Sequence, residues 1–230
     1  MDLLDLVFPK RCVSCGVFGK YICNRCFKKI EFVEKPICPI CQRQAIGGKT
    51  HPKCAGKFRP DGLVVACKYK GPIKFAIRKV KYKWVYDIEK VLVDLLASQI
   101  WKFDLPQNSI LVPIPLHKKR KNWRGFNQAE ILAKTLSKKF NVSYSDSLIR
   151  IAETKTQVGL TRKERKKNVK GAFSLRSFRH PELDSGSRFR DKNVILVDDV
   201  YTSGATMMEA AKVLKRSGAK NVWAVAIALG

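Results

Sequence analysis

Asp198 and Asp199 stand just before Thr202, Ser203, Gly204, Ala205 and Thr206, and residue types in that order suit one kind of ligand. Small residues let the backbone turn tightly and expose its amide N–H groups. Thr206 and Glu209 have the spacing of a capping box, so a helix is expected to begin right after the turn. A helix N-terminus behind such a turn attracts anions, because its first amides are unpaired and the helix dipole is positive there. Two carboxylates repel an anion, so their place beside the turn calls for something else on the same ligand. A ribose carrying a 5-phosphate has both: hydroxyls that donate to the Asp oxygens, and a phosphate for the turn. A divalent cation on a ligand pyrophosphate would be drawn to the same acidic edge. The bland alternative is that the two acids only end a strand and Thr206 only caps a helix.

A second set of residues has ligand spacing of a different kind. Eight cysteines are present, and seven fall before residue 55. With His51 they form four pairs: Cys12/Cys15, Cys23/Cys26, Cys38/Cys41 and His51/Cys54. Two intervening residues let a pair close a tight knuckle around one tetrahedral ion, so eight ligands suit two zinc ions. With every position filled by protein, the zinc is structural and no catalytic position stays open. Sequential pairing gives Cys12/Cys15/Cys23/Cys26 and Cys38/Cys41/His51/Cys54, whereas cross-brace pairing interleaves them. The short gap from Cys15 to Cys23 favours the sequential arrangement. Disulfides are disfavoured because no signal peptide precedes them, and redox chemistry because no thioredoxin-like pattern surrounds the pairs. Cys67, in the apolar run 62–69, is expected to be a small buried residue.

The elements that must position these groups follow from the apolar pattern. Residues 194–197 are a short β-branched-rich run that reads as a buried parallel strand, with the two acids at its end. Residues 62–69, 110–112 and 222–229 read as further strands. Residues 72–101 read as mostly helical, with apolar stripes at Ile73, Ile77 and Val80 and at Ile88, Val91, Leu92, Leu95 and Leu96. The basic and aromatic stretch 79–86 between the stripes reads as a solvated helix end rather than a nucleic-acid contact. Asn127 and Glu130 have capping-box spacing, which predicts a helix over 128–139. Residues 116–126 then form a loop carrying His117, Lys118, Lys119, Arg120, Lys121 and Arg124. In a doubly wound sheet this loop and the 198–206 turn open onto one crevice at the strands' C-terminal ends. Residues 154–172, long and very basic with a short helix capped by Thr161 and Glu164, read as a lid. Residues 180–191 read as an exposed insertion. A polar linker at 56–61 separates a zinc-ribbon unit, residues 1–57, from an α/β unit, residues 58–230. A receiver domain also opens on a strand ending in two acids, but too little chain follows Asp199 to complete one.

The 230 residues include 46 Lys+Arg against 19 Asp+Glu, a formal net charge of +27. That excess points to polyanionic company, a polyphosphate ligand or nucleic acid, or else to a generally basic surface. No stretch has the length and apolarity of a membrane span, and the first ten residues lack the charge pattern of a leader. Membrane insertion is therefore not expected, and a cytoplasmic location is.

The stretch VILVDDVYTSGAT resembles the phosphoribosyl pyrophosphate (PRPP) motif of type I phosphoribosyltransferases. Nearly end to end, the chain resembles the ComF family of bacterial phosphoribosyltransferase-domain proteins. The resemblance rests on the paired cysteines, on VPIPLHKKRKNWRGFNQAE, on TQVGLTRKERKKNVKGAF and on the PRPP-like motif. His51 stands where the family usually has Cys, a change that keeps zinc ligation. The loop reads Tyr201-Thr202-Ser203, a conservative form. The resemblance implies a type I phosphoribosyltransferase fold, a doubly wound and mostly parallel sheet, behind a small N-terminal zinc-ribbon domain. It implies that Asp198 and Asp199 bind ribose hydroxyls and Mg²⁺, and that Thr202 to Thr206 hold the 5-phosphate. It further implies that His117, Lys118, Arg120 and Arg124 face the pyrophosphate, with Arg162 and Arg165 on a closing lid. PRPP, single-stranded DNA and a DNA-uptake helicase are the partners it implies, in natural competence. A nucleic-acid-binding adaptor with a catalytically silent fold is the alternative. A purine-type amidotransferase is disfavoured for want of an N-terminal nucleophilic Cys.

Overall fold

The computed structural model describes residues 9–80, 87–154, 161–176 and 189–230. The strands are β1 (Gly62–Lys68), β2 (Ser109–Pro113), β3 (Ser143–Tyr144), β4 (Leu148–Arg150), β5 (Phe173–Leu175), β6 (Asn193–Tyr201) and β7 (Asn221–Leu229). The helices are α1 (Asn24–Phe27), α2 (Gly71–Val80), α3 (Ile88–Ala97), α4 (Lys118–Arg124), α5 (Gln128–Phe140), α6 (Arg162–Val169) and α7 (Ala205–Arg216). Five strands form one parallel sheet in the order β1-β7-β6-β2-β3. A small antiparallel pair, β4 with β5, stands apart from it. A parallel sheet covered on both faces needs apolar strands, so β1, β7 and the first half of β6 are apolar rather than alternating.

Two cores flank the sheet. Helices α2, α3 and α5 cover one face through Ile73, Ile77, Leu92, Leu96, Leu132 and Leu136, against Ile195, Val197 and Ile227. On the other face α7 packs Met207, Ala210, Ala211 and Leu214 against Val194, Leu196 and Ala224. Strands β2 and β6 are neighbours, but their connections leave in opposite directions. From β2 the chain passes through α4 and α5 to β3 at one edge; from β6 it passes through α7 to β7 on the other side. Such a switch opens a crevice at the C-terminal ends of the two strands.

The cysteine-rich segment is built into both cores. Cys12, Ile22, Cys26 and Ile30 join the first core, and Val33 and Ile37 the second. Residues 31–33 run antiparallel along the free edge of β1: Val33 N donates to Ala66 O at 2.8 Å and Lys68 N to Glu31 O at 2.8 Å. That pairing caps an edge that would otherwise offer unpaired backbone groups to another chain. Asp61, at the end of the polar stretch, accepts from Val222 N at 2.6 Å and lies 2.7 Å from Lys215 Nζ, so that stretch is tied down.

Several local expectations need correction. Residues 198–201 do not follow the strand but continue it: Asp198 sits opposite Ala226 and Tyr201 opposite Leu229. Pairing with β7 on one side is enough to extend β6 past the acids. The segment from His117 to Arg124 is not a loop; Lys118–Arg124 is helical, closed by Gly125 at φ +79°. The Thr206/Glu209 capping box does not form, because Gly204 at φ +72° takes the N-cap and Glu209 instead accepts from Gly171 N at 2.9 Å. Residues 180–188 lie outside the described ones, as do 177–179; of the described 189–191, Phe189 has no solvent exposure and packs into the α7 core, against the expected exposed insertion. Asn127 caps α5 by accepting from Ala129 N, but the box with Glu130 does not form, since Glu130 pairs with Lys121 and Lys134. The Asn127 amide donates to Ile114 O at 3.0 Å, which fixes α5 to the end of β2. The stripes of α2 and α3 are buried as read, and so is Cys67, whose thiol burial pushes up to about 12. The stretch 81–86 lies outside the described residues. Among the described residues no helix is long and apolar enough to cross a membrane.

Truncating a fully buried aromatic side chain leaves a cavity, so Phe189→Ala is expected to cost about 3–5 kcal/mol. Urea unfolding measures it, and a loss under about 1 kcal/mol would place Phe189 outside the core.

Candidate functional site

Two clusters of metal-ligand type are present among the described residues: Cys12/Cys15/Cys23/Cys26 and Cys38/Cys41/His51/Cys54, each with its ligand atoms within 4.8 Å of one another. The arrangement is sequential, and interleaved pairing is thereby dropped. Cys15 Sγ and Cys23 Sγ are 3.6 Å apart, and Cys41 Sγ and His51 Nδ1 3.3 Å. A tetrahedron with Zn–S of about 2.3 Å has S···S edges of about 3.8 Å, so these spacings fit one ion per cluster. His51 Nε2 lies 2.9 Å from Gln44 O, to which it donates, leaving Nδ1 with its lone pair towards the metal. The thiols also fit a dication electrically. Burial opposes the Cys12 thiolate, yet the amides of Cys23, Cys15 and Ser14 hold its pKa down to about 6. Cys26 is pushed up to about 12, by burial first and then by Cys15 and its other thiol neighbours. Four such groups cannot all ionise together without a cation among them.

Each cluster begins on the same turn. Gly16 N donates to Cys12 O and Gln42 N to Cys38 O, at 2.8 and 2.9 Å, in the two first knuckles. The residue after the second cysteine is left-handed in both: Gly16 at φ +77° and Gln42 at φ +59°.

The acidic pair lies at the C-terminal end of β6, on the switch crevice. Asp199 is buried at 8% exposure and Asp198 half-buried; Asp199 N donates to Asp198 Oδ1 at 2.8 Å. Tyr201, fully buried, ends the strand, and Thr202, Ser203 and Gly204 turn the chain into α7. A side chain at Gly204 would collide with the Tyr201 hydroxyl, and φ +72° is strained for any residue with a Cβ, so glycine is required there on two counts. With Gly204 as N-cap, no side chain caps α7 from that position, and the helix end keeps its affinity for anions.

Across the crevice stands α4. His117 is its N-cap, and the buried His117 Nδ1 has no hydrogen-bond partner. Lys119 Nζ pairs with Glu153 at 2.7 Å and thereby holds that carboxyl below its ordinary pKa. Lys121 pairs with Glu130, and Arg124 donates to Gln128 Oε1 at 2.7 Å. Lys118 lines a cavity of about 390 Å³ beside the end of β2, with Pro113, Tyr144, Arg150 and Arg176. Arg150 was not singled out by sequence. It ends β4, donates to Thr154 Oγ1 and has its Nε buried without a partner. Burial lowers its pKa first, Arg120 adds to that, and Asp198 opposes it, so the three charges share one neighbourhood. A lone Arg closing the apolar run LIR before a polar stretch was the available signal.

Arg162 and Arg165 fall in the first turn of α6, whose capping box of Thr161 and Glu164 forms as expected. That helix packs on α7, the helix behind the small-residue turn. Residues 155–160 of the expected lid lie outside the described residues.

Fold and site together define a class: a cysteine-rich pair of zinc knuckles joined to a parallel α/β domain with an acidic pair before a small-residue turn at a helix N-terminus. Family comparison agrees with both halves, since residues 3–55 match the double zinc ribbon domain and residues 126–229 the phosphoribosyl transferase domain. The chain is 30% identical to Competence protein F of Haemophilus influenzae, covering 95% of this chain and 97% of the relative. It is 31% identical to DNA utilization protein YhgH of Escherichia coli K12 over 94% of this chain and 96% of the relative. It is 28% identical to Competence protein ComFC of Bacillus subtilis over 86% of this chain and 79% of the relative. The chain belongs to the ComF family.

Metal analysis of the purified protein is expected to find two zinc ions per chain. Because Cys12, Cys26 and Cys38 are buried and the segment enters both cores, chelation is expected to lower the melting temperature of the whole chain rather than fray residues 12–54 alone. A melting curve indifferent to zinc loss would contradict that coupling.

Proposed function

We propose that the chain binds PRPP and acts as a phosphoribosyltransferase in the cytoplasmic handling of incoming single-stranded DNA during competence. The observation that carries this is the acidic pair on β6, leading through two residues into an uncapped helix turn at the switch crevice. The names of the relatives, in competence and DNA utilization, support the biological setting. In this reading Asp198 and Asp199 accept the ribose hydroxyls, and the amides and hydroxyls of Thr202, Ser203, Gly204, Ala205 and Thr206 hold the 5-phosphate. His117, Lys118, Arg120 and Arg124 face the pyrophosphate, Arg150 lies near both Arg120 and Asp198, and Arg162 and Arg165 close over it. The bond broken joins the ribose anomeric carbon to the pyrophosphate oxygen, whose electron pair leaves with pyrophosphate. Fixed positive charge stabilises that leaving group, and buried carboxylates stabilise the cation-like ribosyl carbon. Mg²⁺ arriving on PRPP neutralises part of the pyrophosphate charge. An acceptor nucleophile from outside the chain forms the new bond to the anomeric carbon as the old one breaks and loses its proton to solvent, so no protein nucleophile is needed.

Calorimetry with PRPP and Mg²⁺ tests the site. Replacing both acids, Asp198→Asn with Asp199→Asn, keeps their shape and removes their charge. Affinity is expected to fall at least about tenfold, roughly 1.4 kcal/mol. Equal affinity in the folded double variant would return the acids to a structural role and favour the alternative, a catalytically silent adaptor.

Single-stranded DNA fits the exposed side of α4. Trp123 is 82% exposed on that helix, beside the exposed cations Lys119 and Lys121. An exposed aromatic among cations stacks bases while the cations follow the phosphates. Binding is expected to weaken steeply with salt through counterion release. Trp123→Ala is expected to lose about 1–3 kcal/mol of affinity with the salt slope unchanged, since stacking is not ionic. An oligonucleotide titration in which Trp123→Ala binds as well as the parent would move the DNA surface elsewhere. A DNA-uptake helicase is the protein partner this setting implies.

A further inference from the structure

The second zinc knuckle touches the small-residue turn directly. Tyr201 Oη donates to Pro39 O at 2.6 Å, and Gln42 Nε2 donates to Thr202 O at 2.8 Å. Pro39 lies between Cys38 and Cys41, and Gln42 follows Cys41, so both partners belong to the turn that a metal at Cys38/Cys41/His51/Cys54 would close. Their targets, Tyr201 and Thr202, are the last residue of β6 and the first of the turn. Gly204 in turn lies against the Tyr201 hydroxyl so closely that no side chain fits between them. An unbroken series of contacts thus runs from the metal knuckle through Tyr201 to the N-cap of α7.

The backbone of Gln42 adds a second point. In the matching position of the first knuckle the chain uses Gly16, which adopts positive φ without strain. The second knuckle places a glutamine at φ +59°, where a residue with a Cβ is disfavoured. Knuckle closure alone does not require that choice, since Gly16 closes the first one. The side chain that comes with the strain reaches across about 160 residues of sequence to the Thr202 carbonyl. Strain that persists is held by its surroundings, and here the surroundings are a metal turn on one side and the ligand turn on the other.

We infer that Gln42 and Tyr201 are positioning residues, through which the Cys38/Cys41/His51/Cys54 metal site sets the shape of the 202–206 turn and hence its hold on a sugar phosphate. The ligand half of this rests on reading 202–206 as the 5-phosphate site; the coupling half does not. Zinc loss at this knuckle would then loosen the turn without touching any residue in it.

The test pairs two conservative variants with two readouts. Gln42→Gly suits the positive φ and keeps the knuckle while removing the bond to Thr202; Tyr201→Phe removes the hydroxyl that donates to Pro39 O. In the unliganded protein carrying both, zinc content is expected to stay at two while amide hydrogen exchange at 202–206 speeds up at least about tenfold. Stripping zinc from the parent with a chelator is expected to produce the same increase there. Affinity for ribose 5-phosphate is expected to fall about tenfold in the variant, while affinity for inorganic pyrophosphate is unchanged. Unchanged exchange at 202–206 in the variant overturns the inference, and so does protection that survives full zinc loss. If exchange rises but the parent binds no ribose 5-phosphate, the coupling stands and the phosphate-site reading falls.

Discussion

Two neighbouring parallel strands, β2 and β6, send their connections to opposite sides, and every candidate ligand group depends on that divergence. Had both connections packed over the same side, the strand ends would have been covered by crossing chain. Instead α4 leaves one lip of the crevice and the turn into α7 leaves the other, so a basic helix faces an acidic strand end. β7 alone continues beside β6 past Val197, and that pairing makes the acids part of the sheet rather than of a loop. Groups held on a paired strand are placed more tightly than groups on a connection.

The ribbon segment shows how a short stretch without a core of its own becomes part of a larger one. Two knuckles closed by metal organise residues 12–54, and residues 31–33 then seal the edge of β1. Apolar residues of the segment divide between the two cores, so metal binding and folding of the α/β domain share the same free energy. The contact of Pro39 and Gln42 with Tyr201 and Thr202 carries that dependence to the crevice.

Charge is distributed with the same economy. Much of the excess positive charge around α4 is locally matched: Lys119 by Glu153 and Lys121 by Glu130. These exposed or half-exposed pairs add little stability, but they set which cations remain to face a ligand. Arg150, half-buried, opposed by Arg120 and favoured by Asp198, keeps its Nε buried without a hydrogen-bond partner.

Spacing along the chain determined what depends on covalent neighbours. Four pairs separated by two residues announced two tetrahedral metal sites, because a knuckle is closed within four residues. Apolar runs announced the parallel strands, and Asn127 and Thr161 announced the helices they cap, since each of these is satisfied within one turn. Local pattern failed where a distant partner competed. Glu209 left its capping box for Gly171, β6 ran past the acids because β7 continued beside it, and Phe189 sank into a core that its polar neighbours concealed. The meeting of Gln42 with Thr202 was beyond any reading of spacing. It joins two segments 160 residues apart through a single side chain, and only the docking of the ribbon on the sheet brings them together.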